Sequence, residues 1–156
     1  MRDIKDLDVK ELVNIVSNYA KAGRETGGPY TLAEVKLEQL KRLSSPYDTI
    51  AVAKKIVEQA KQSEDGLTTY GDLWKAFNPG KEWRGNADQQ IMAKTLGRVI
   101  AYCVGHGLPV LTTLVVQKGG RKLSDKAVIH IFNEAKALGV NTGLDAKAFV
   151  EAQKIH

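Results

Sequence analysis

Cys103 and His106 stand three residues apart, close enough for a thiolate and an imidazole to be imagined as a nucleophile–base pair. Cys103, however, shares a helical face with Met92, Leu96 and Val99, and a cysteine on an apolar face behaves as a small, inert hydrophobe. His106 lies between Gly105 and Gly107, in a turn that ends a helix, where it reads as a solvated or capping residue. His130 and Glu134 have i, i+4 spacing, which suits a surface hydrogen-bonding pair as well as a ligand pair. With histidine only at 106, 130 and 156 and a single cysteine, no zinc-ligand spacing occurs, and neither a metal nor a cofactor is expected.

Hydrolysis of nucleic acid usually needs clustered carboxylates to hold a divalent cation. The acids between residues 66 and 142 are sparse: Asp72, Glu82, Asp88, Asp125 and Glu134. Asp72 and Asp125 each fall in the first turn of an expected helix, where the helix dipole favours an acid in any case. There is no phosphate-binding lysine loop and no dinucleotide fingerprint. An enzyme with an unrecognised site, such as a nuclease using Asp72 or Asp125, remains a third reading behind two binding functions.

The basic residues are more coherent. Residues 1–65 carry 11 Lys/Arg and 11 Asp/Glu, residues 66–142 carry 10 and 5, and residues 143–156 carry two of each. The whole net charge of +5 therefore lies in the middle of the chain, the footprint of a polyanion binder. Lys94 and Arg98 are one turn apart on an expected helix, and Lys118, Arg121 and Lys122 follow on a strand and turn about twenty residues later. A helix in the major groove with a basic hairpin on the flanking backbone is a common grip on a duplex. Trp83 and Arg84, in a loop bounded by glycine and proline, are candidates for stacking on a base or sugar.

The elements that must position these residues follow from spacing and punctuation. Asp8 and Glu11 open a helix carrying Val9, Leu12, Val13, Val16 and Ala20, and Gly23 closes it. Thr31 and Glu34 have capping-box spacing before a helix that buries Leu32, Val35, Leu40 and Leu43 and stops at Ser44-Ser45-Pro46. A third helix begins near Asp48, with Ile50, Ala53, Ile56, Val57 and Ala60 on its apolar side. After Gly66, a short helix runs from the Thr68–Trp74 segment to about Phe77, and a long one from about Asp88 to Val104. Val110 to Lys118 is rich in β-branched residues and predicts a strand, followed by a turn at Gly119-Gly120. Ser124 is placed as the N-cap of a helix from Asp125 to Leu138, and a last helix is expected over Asp145 to Lys154.

The expected fold is therefore mainly α with a small β element: a helical N-terminal segment (1–65, three helices), a basic module (66–142) and a C-terminal helix (143–156). Apolar residues at 43% suffice for a core, and no apolar run reaches the roughly 20 residues that span a bilayer. The charged start, MRDIKDLD, lacks the apolar stretch of a signal peptide, so a cytoplasmic protein with no membrane contact is expected.

In chain order, the basic module holds Thr69-Tyr70-Gly71-Asp72-Leu73 opening a helix, Ala93-Lys94-Thr95-Leu96-Gly97 on the long helix, and Pro109 leading to a strand that ends at Val115-Val116. Gly119-Gly120 and then a helix running to Gly139-Val140 complete the order. This sequence of motifs resembles the C-terminal DNA-binding domain of alkylguanine-DNA alkyltransferases and the related alkyltransferase-like proteins, over roughly half the chain. The resemblance implies a winged-helix-like domain in which Tyr70 contacts a DNA phosphate and helps rotate a nucleotide. It also implies that Lys94 stands where the family has an arginine that fills the gap in the duplex. The strand is two residues longer than the family's and has neither the acceptor cysteine nor its neighbouring histidine, and alkyl transfer needs a thiolate, so repair activity is not expected.

The leading expectation is a non-catalytic nucleic-acid-binding protein, for double-stranded DNA rather than RNA. Its contacts would be Tyr70, Trp83, Arg84, Lys94, Arg98, Lys118, Arg121 and Lys122. The alternative is a protein-interaction or inhibitor module, of adaptor or anti-defence type, docking through the charge-balanced residues 1–65.

Overall fold

The computed structural model describes residues 2–153. The fold is mainly α with a small β element, in the order α1 (Val9–Ala22), α2 (Leu32–Lys41), α3 (Thr49–Gln62), β1 (Thr68–Thr69), α4 (Tyr70–Phe77), α5 (Asn86–Gly105), β2 (Val115–Val116), α6 (Asp125–Ala137) and α7 (Ala146–Ala152). Short 3-10 turns occupy Ile4–Asp6 and Leu111–Leu114.

The helix starts are set by side-chain capping. Asp8 accepts from the Glu11 amide while the Glu11 carboxylate accepts from the Asp8 amide, and Thr31 and Glu34 form the same reciprocal box. Asp48, Thr69, Ser124 and Asp145 cap α3, α4, α6 and α7 in the simpler way. Gly23, left-handed at φ 65°, closes α1 as its position predicts. α5 is entered differently: Gly85 has φ 72° and ψ −128°, a conformation that only glycine adopts without strain, and no side chain caps the helix there.

Three clusters form the interior. The main one joins Val52, Ala53, Ile56 and Ala60 of α3 to Leu73, Trp74, Met92, Leu96, Val99, Cys103, Leu114, Val115 and Val116. Packing therefore does not break at residue 65, since α3 supplies one wall of the core beneath the basic module. A second cluster links Ile100 and Val110 to Ile131 and Ala135 of α6, to Leu138 at its C-cap, and to Phe149 and Val150 of α7. A third, around Leu7, Leu12 and Val35, holds α1 against α2. α2 also lies close on α5: a Cβ on Gly97 would sit 2.7 Å from Leu43 Cδ1, so the glycine admits the neighbouring helix.

Three expectations are corrected. Val110 to Lys118 is not a continuous strand: Leu111–Leu114 winds into a 3-10 turn and only Val115–Val116 is extended. From Val110 to Val116 the run is buried, and burial between helices, not pairing, sets its path, while Gln117 and Lys118 are exposed. β2 pairs in parallel with β1, Thr68 opposite Val115 and Thr69 opposite Val116, with α4 and α5 in the crossover. Residues 118–122 consequently leave the pair as a turn, and among the described residues no antiparallel basic hairpin forms. Ile50 is not an inward residue of α3, being 46% exposed. The start of α7 is as expected, whereas Lys154, placed in that helix on sequence, lies outside the described residues.

Candidate nucleic-acid interface

α5 has two unlike halves. From Thr95 to Cys103 it is a core helix, with Thr95, Leu96, Gly97, Val99, Ile100, Ala101 and Cys103 all buried. From Asn86 to Lys94 it stands out of the protein, with only Asp88 and Met92 buried. Asn86, Gln90 and Lys94 follow at four-residue intervals and form one exposed stripe, with Gln89 and Ala93 beside it. Amides and a lysine beside a small residue on a protruding helix are the groups that read base edges and meet phosphates. Asn86, Gln89 and Gln90 were not singled out on sequence; an amide-rich start to an otherwise apolar helix is the signal that marks them.

Beside this half-helix lies a groove of about 620 Å³ walled by α2, α5 and α6. Leu40, Leu43, Met92, Leu96 and Ile131 make its sides apolar, and Tyr70, Trp83, Gln89, Gln117, Lys118, His130 and Glu134 supply its polar and aromatic groups. Tyr70 is half-buried, and burial pushes its phenol above the ordinary range, so it stays neutral. Trp83 is 40% exposed and makes a T-shaped contact with buried Trp74, with ring centroids 5.5 Å apart and planes at 78°. That contact fixes one side of Trp83 and leaves the rest of the ring at the groove.

The eight residues expected to bind nucleic acid separate into distinct groups. Tyr70, Trp83 and Lys118 converge on the groove, and Lys94 stands on the adjoining stripe. Arg84 is committed elsewhere: its guanidinium Nη2 is 2.9 Å from Asp88 Oδ1, and its amide donates to Asp88 Oδ2 at 2.6 Å. Asp88 is buried at the third position of α5, so this pair anchors the entry to the helix, and the arginine holds the carboxylate below its usual range. Arg121 is committed as well, with Nε 2.7 Å from Asp65 Oδ2 and Nη2 donating to Asp65 Oδ1, Ser63 Oγ and the Leu67 carbonyl. It staples the turn after β2 to the end of α3 and pulls the Asp65 pKa far below the carboxylate norm. Neither arginine is a free phosphate ligand: Asp88 stands only four residues after Arg84, whereas Asp65 lies 56 positions from Arg121, beyond the reach of sequence spacing.

Lys122 lines a different cleft, with Lys147, Asp125 and Glu151. Arg98 parts from Lys94 because a helix advances about 100° per residue, so each step of four turns the stripe by roughly 40°. By Arg98 the stripe has reached the junction of α2 and α3, where the half-buried guanidinium lies 3.5 Å from the Leu43 carbonyl.

The residues considered for catalysis do not assemble. Cys103 is fully buried, and burial raises its thiol pKa. His106 instead meets the Tyr102 carbonyl through Nδ1 at 2.8 Å and stacks on the Tyr102 ring. His130 and Glu134 both face the groove. Among the described residues no group of three His, Cys, Asp or Glu side chains is arranged to hold a metal ion, and no helix is long and apolar enough to cross a membrane.

No family model, curated protein or solved structure matches the chain.

Proposed function

We propose that this is a cytoplasmic, non-catalytic nucleic-acid-binding protein that engages double-stranded DNA through the first half of α5 and the groove beside it. The observation that carries the reading is the convergence of Tyr70, Trp83 and Lys118 on one groove next to the exposed stripe of Asn86, Gln90 and Lys94. Neither Lys94 nor Lys118 pairs with a carboxylate among the described residues, so both are free to neutralise phosphates. The amides of the stripe would meet base edges, and Trp83 and Tyr70 offer ring faces or edges to a sugar or an unpaired base.

The test is binding of a mixed-sequence duplex, followed by fluorescence anisotropy at 50 and 200 mM salt, with an RNA duplex as competitor. The Lys94→Ala, Lys118→Ala double variant should bind about tenfold more weakly or worse and show a salt slope shallower by about 2. Arg121→Ala should leave the slope unchanged. A double variant with wild-type affinity and slope would remove this face from the interface.

A second reading rests on α1, where Val9 is 67% and Val13 51% exposed one turn apart. Such a stripe suits a protein contact made by residues 1–65. Capture of a partner that survives nuclease treatment and is lost in Val13→Glu would favour it over DNA binding.

A further inference from the structure

Where α2 ends, α3 begins and α5 ends, Lys41 and Arg98, from two separate helices, line one cleft of about 240 Å³ together with His106. The hydroxyl-bearing residues Thr49 and Tyr102 line the same space, and Ala101 and Gly105 leave room in it. Among the described residues no carboxylate lines the cleft. Asp48, the acid nearest in sequence, is used as the N-cap of α3, where it accepts from the Ala51 amide at 2.9 Å.

The state of Arg98 distinguishes this cluster from ordinary surface charge. Arg2, Arg42, Arg84 and Arg121 are each paired with an acid. Arg98 is half-buried, yet its guanidinium makes only a long hydrogen bond, to the Leu43 carbonyl, among the described residues, and no carboxylate among them pairs with it. A guanidinium with no counter-charge among the described residues is open to an anion, and its fork of N–H donors matches a tetrahedral oxyanion well. Lys41 is exposed and likewise forms no ion pair among those residues. His106 donates from Nδ1 to the Tyr102 carbonyl, which leaves Nε2 as its second ring nitrogen at the cleft.

We propose that this cleft is a phosphate-binding site, held by Arg98 and Lys41, with the Thr49 and Tyr102 hydroxyls available as donors. It is separate from the groove of Tyr70, Trp83 and Lys118 and does not depend on the reading of that groove. The phosphate could belong to a nucleic-acid strand that follows the α5 stripe past Lys94, or to a free phosphate ester.

The experiment titrates the ¹⁵N-labelled full chain with sodium phosphate and, separately, with sodium chloride at matched ionic strength. It follows the Arg98 side-chain Nε–H and the amides of residues 98–106. Phosphate should produce saturable shifts that chloride does not, weakened at least tenfold in Arg98→Gln and severalfold in Lys41→Gln, whose exposed side chain can be changed without disturbing the core. Shifts no larger than those of chloride, or equal saturation in wild type and both variants, would overturn the site. Duplex binding by the same variants then separates the sources. Weaker duplex binding in both assigns the phosphate to a nucleic-acid strand, while unchanged duplex binding alongside a lost phosphate response assigns it to a free ester. If the wild-type chain binds no duplex at all, the groove reading fails and the phosphate titration still decides the cleft.

Discussion

The two halves of α5 belong to one uninterrupted helix and do opposite things. Its second half is buried against α2, α3 and α6, and its residues are apolar or small: Leu96, Gly97, Val99, Ile100, Ala101 and Cys103. Its first half carries Asn86, Gln89, Gln90 and Lys94 outward and keeps Asp88 and Met92 inward. A helix gripped at one end and free at the other is a rigid post, and side chains on it are held more firmly than side chains on a loop. The same contrast divides the cations. Arg84 and Arg121 spend their charge on Asp88 and Asp65, in pairs that hold the fold, whereas Lys94 and Lys118 face solvent without a counter-charge among the described residues. Positive charge in a stretch of sequence is thus a poor guide to positive surface, since the paired arginines are structural.

The largest effect expected from this contrast is on the gripped end. Ile100→Ala should lower unfolding free energy by about 2–5 kcal/mol, read from chemical denaturation, because Ile100 is 6% exposed in the cluster shared with α6 and α7. A loss under about 1 kcal/mol would mean that this half of the helix is not a core element.

The paired cations give the next effect. The Arg121 guanidinium lowers the Asp65 pKa in the folded protein. The stability from this pair is therefore fully present above the unfolded carboxylate value of about 4 and is lost as pH falls below it. Asp65→Asn should melt at a lower temperature than wild type at pH 7, and the gap should narrow steadily below about pH 4. A gap independent of pH would reduce Arg121 to an unpaired surface residue and return it to the pool of phosphate ligands.

The smallest stability effect belongs to the free end. Gln90→Ala should change stability by no more than about 0.5 kcal/mol. The same change should weaken duplex binding by roughly 1 kcal/mol, and unevenly across sequences, if the amide reads a base edge. Equal weakening on every duplex would sharpen the contrast, turning Gln90 from a base reader into a backbone contact.

Local patterns in the sequence determined most of the helices. Asp8 with Glu11, Thr31 with Glu34, Asp48 and Ser124 act through hydrogen bonds within a turn of their own position, so their role is legible without the rest of the chain. The inward face of α5, with Met92, Leu96, Val99 and Cys103, was legible for the same reason, because period alone places residues on one side of a helix. The run from Val110 to Lys118 reads as a strand in the sequence but is strand only at Val115–Val116, since β-branched residues suit any tightly buried segment and the partners of Val110–Val116 lie far off in α3, α5 and β1. Of the expected contact residues, Tyr70, Trp83, Lys94 and Lys118 stand on the candidate interface and its margin. The pairing of Arg121 with Asp65 spans 56 positions, and the meeting of Lys41 with Arg98 and His106 joins the end of one helix to the end of another. Charge acts through space and not along the chain, so which cations were spent within the fold and which were left to meet a ligand was decided only when the helices packed.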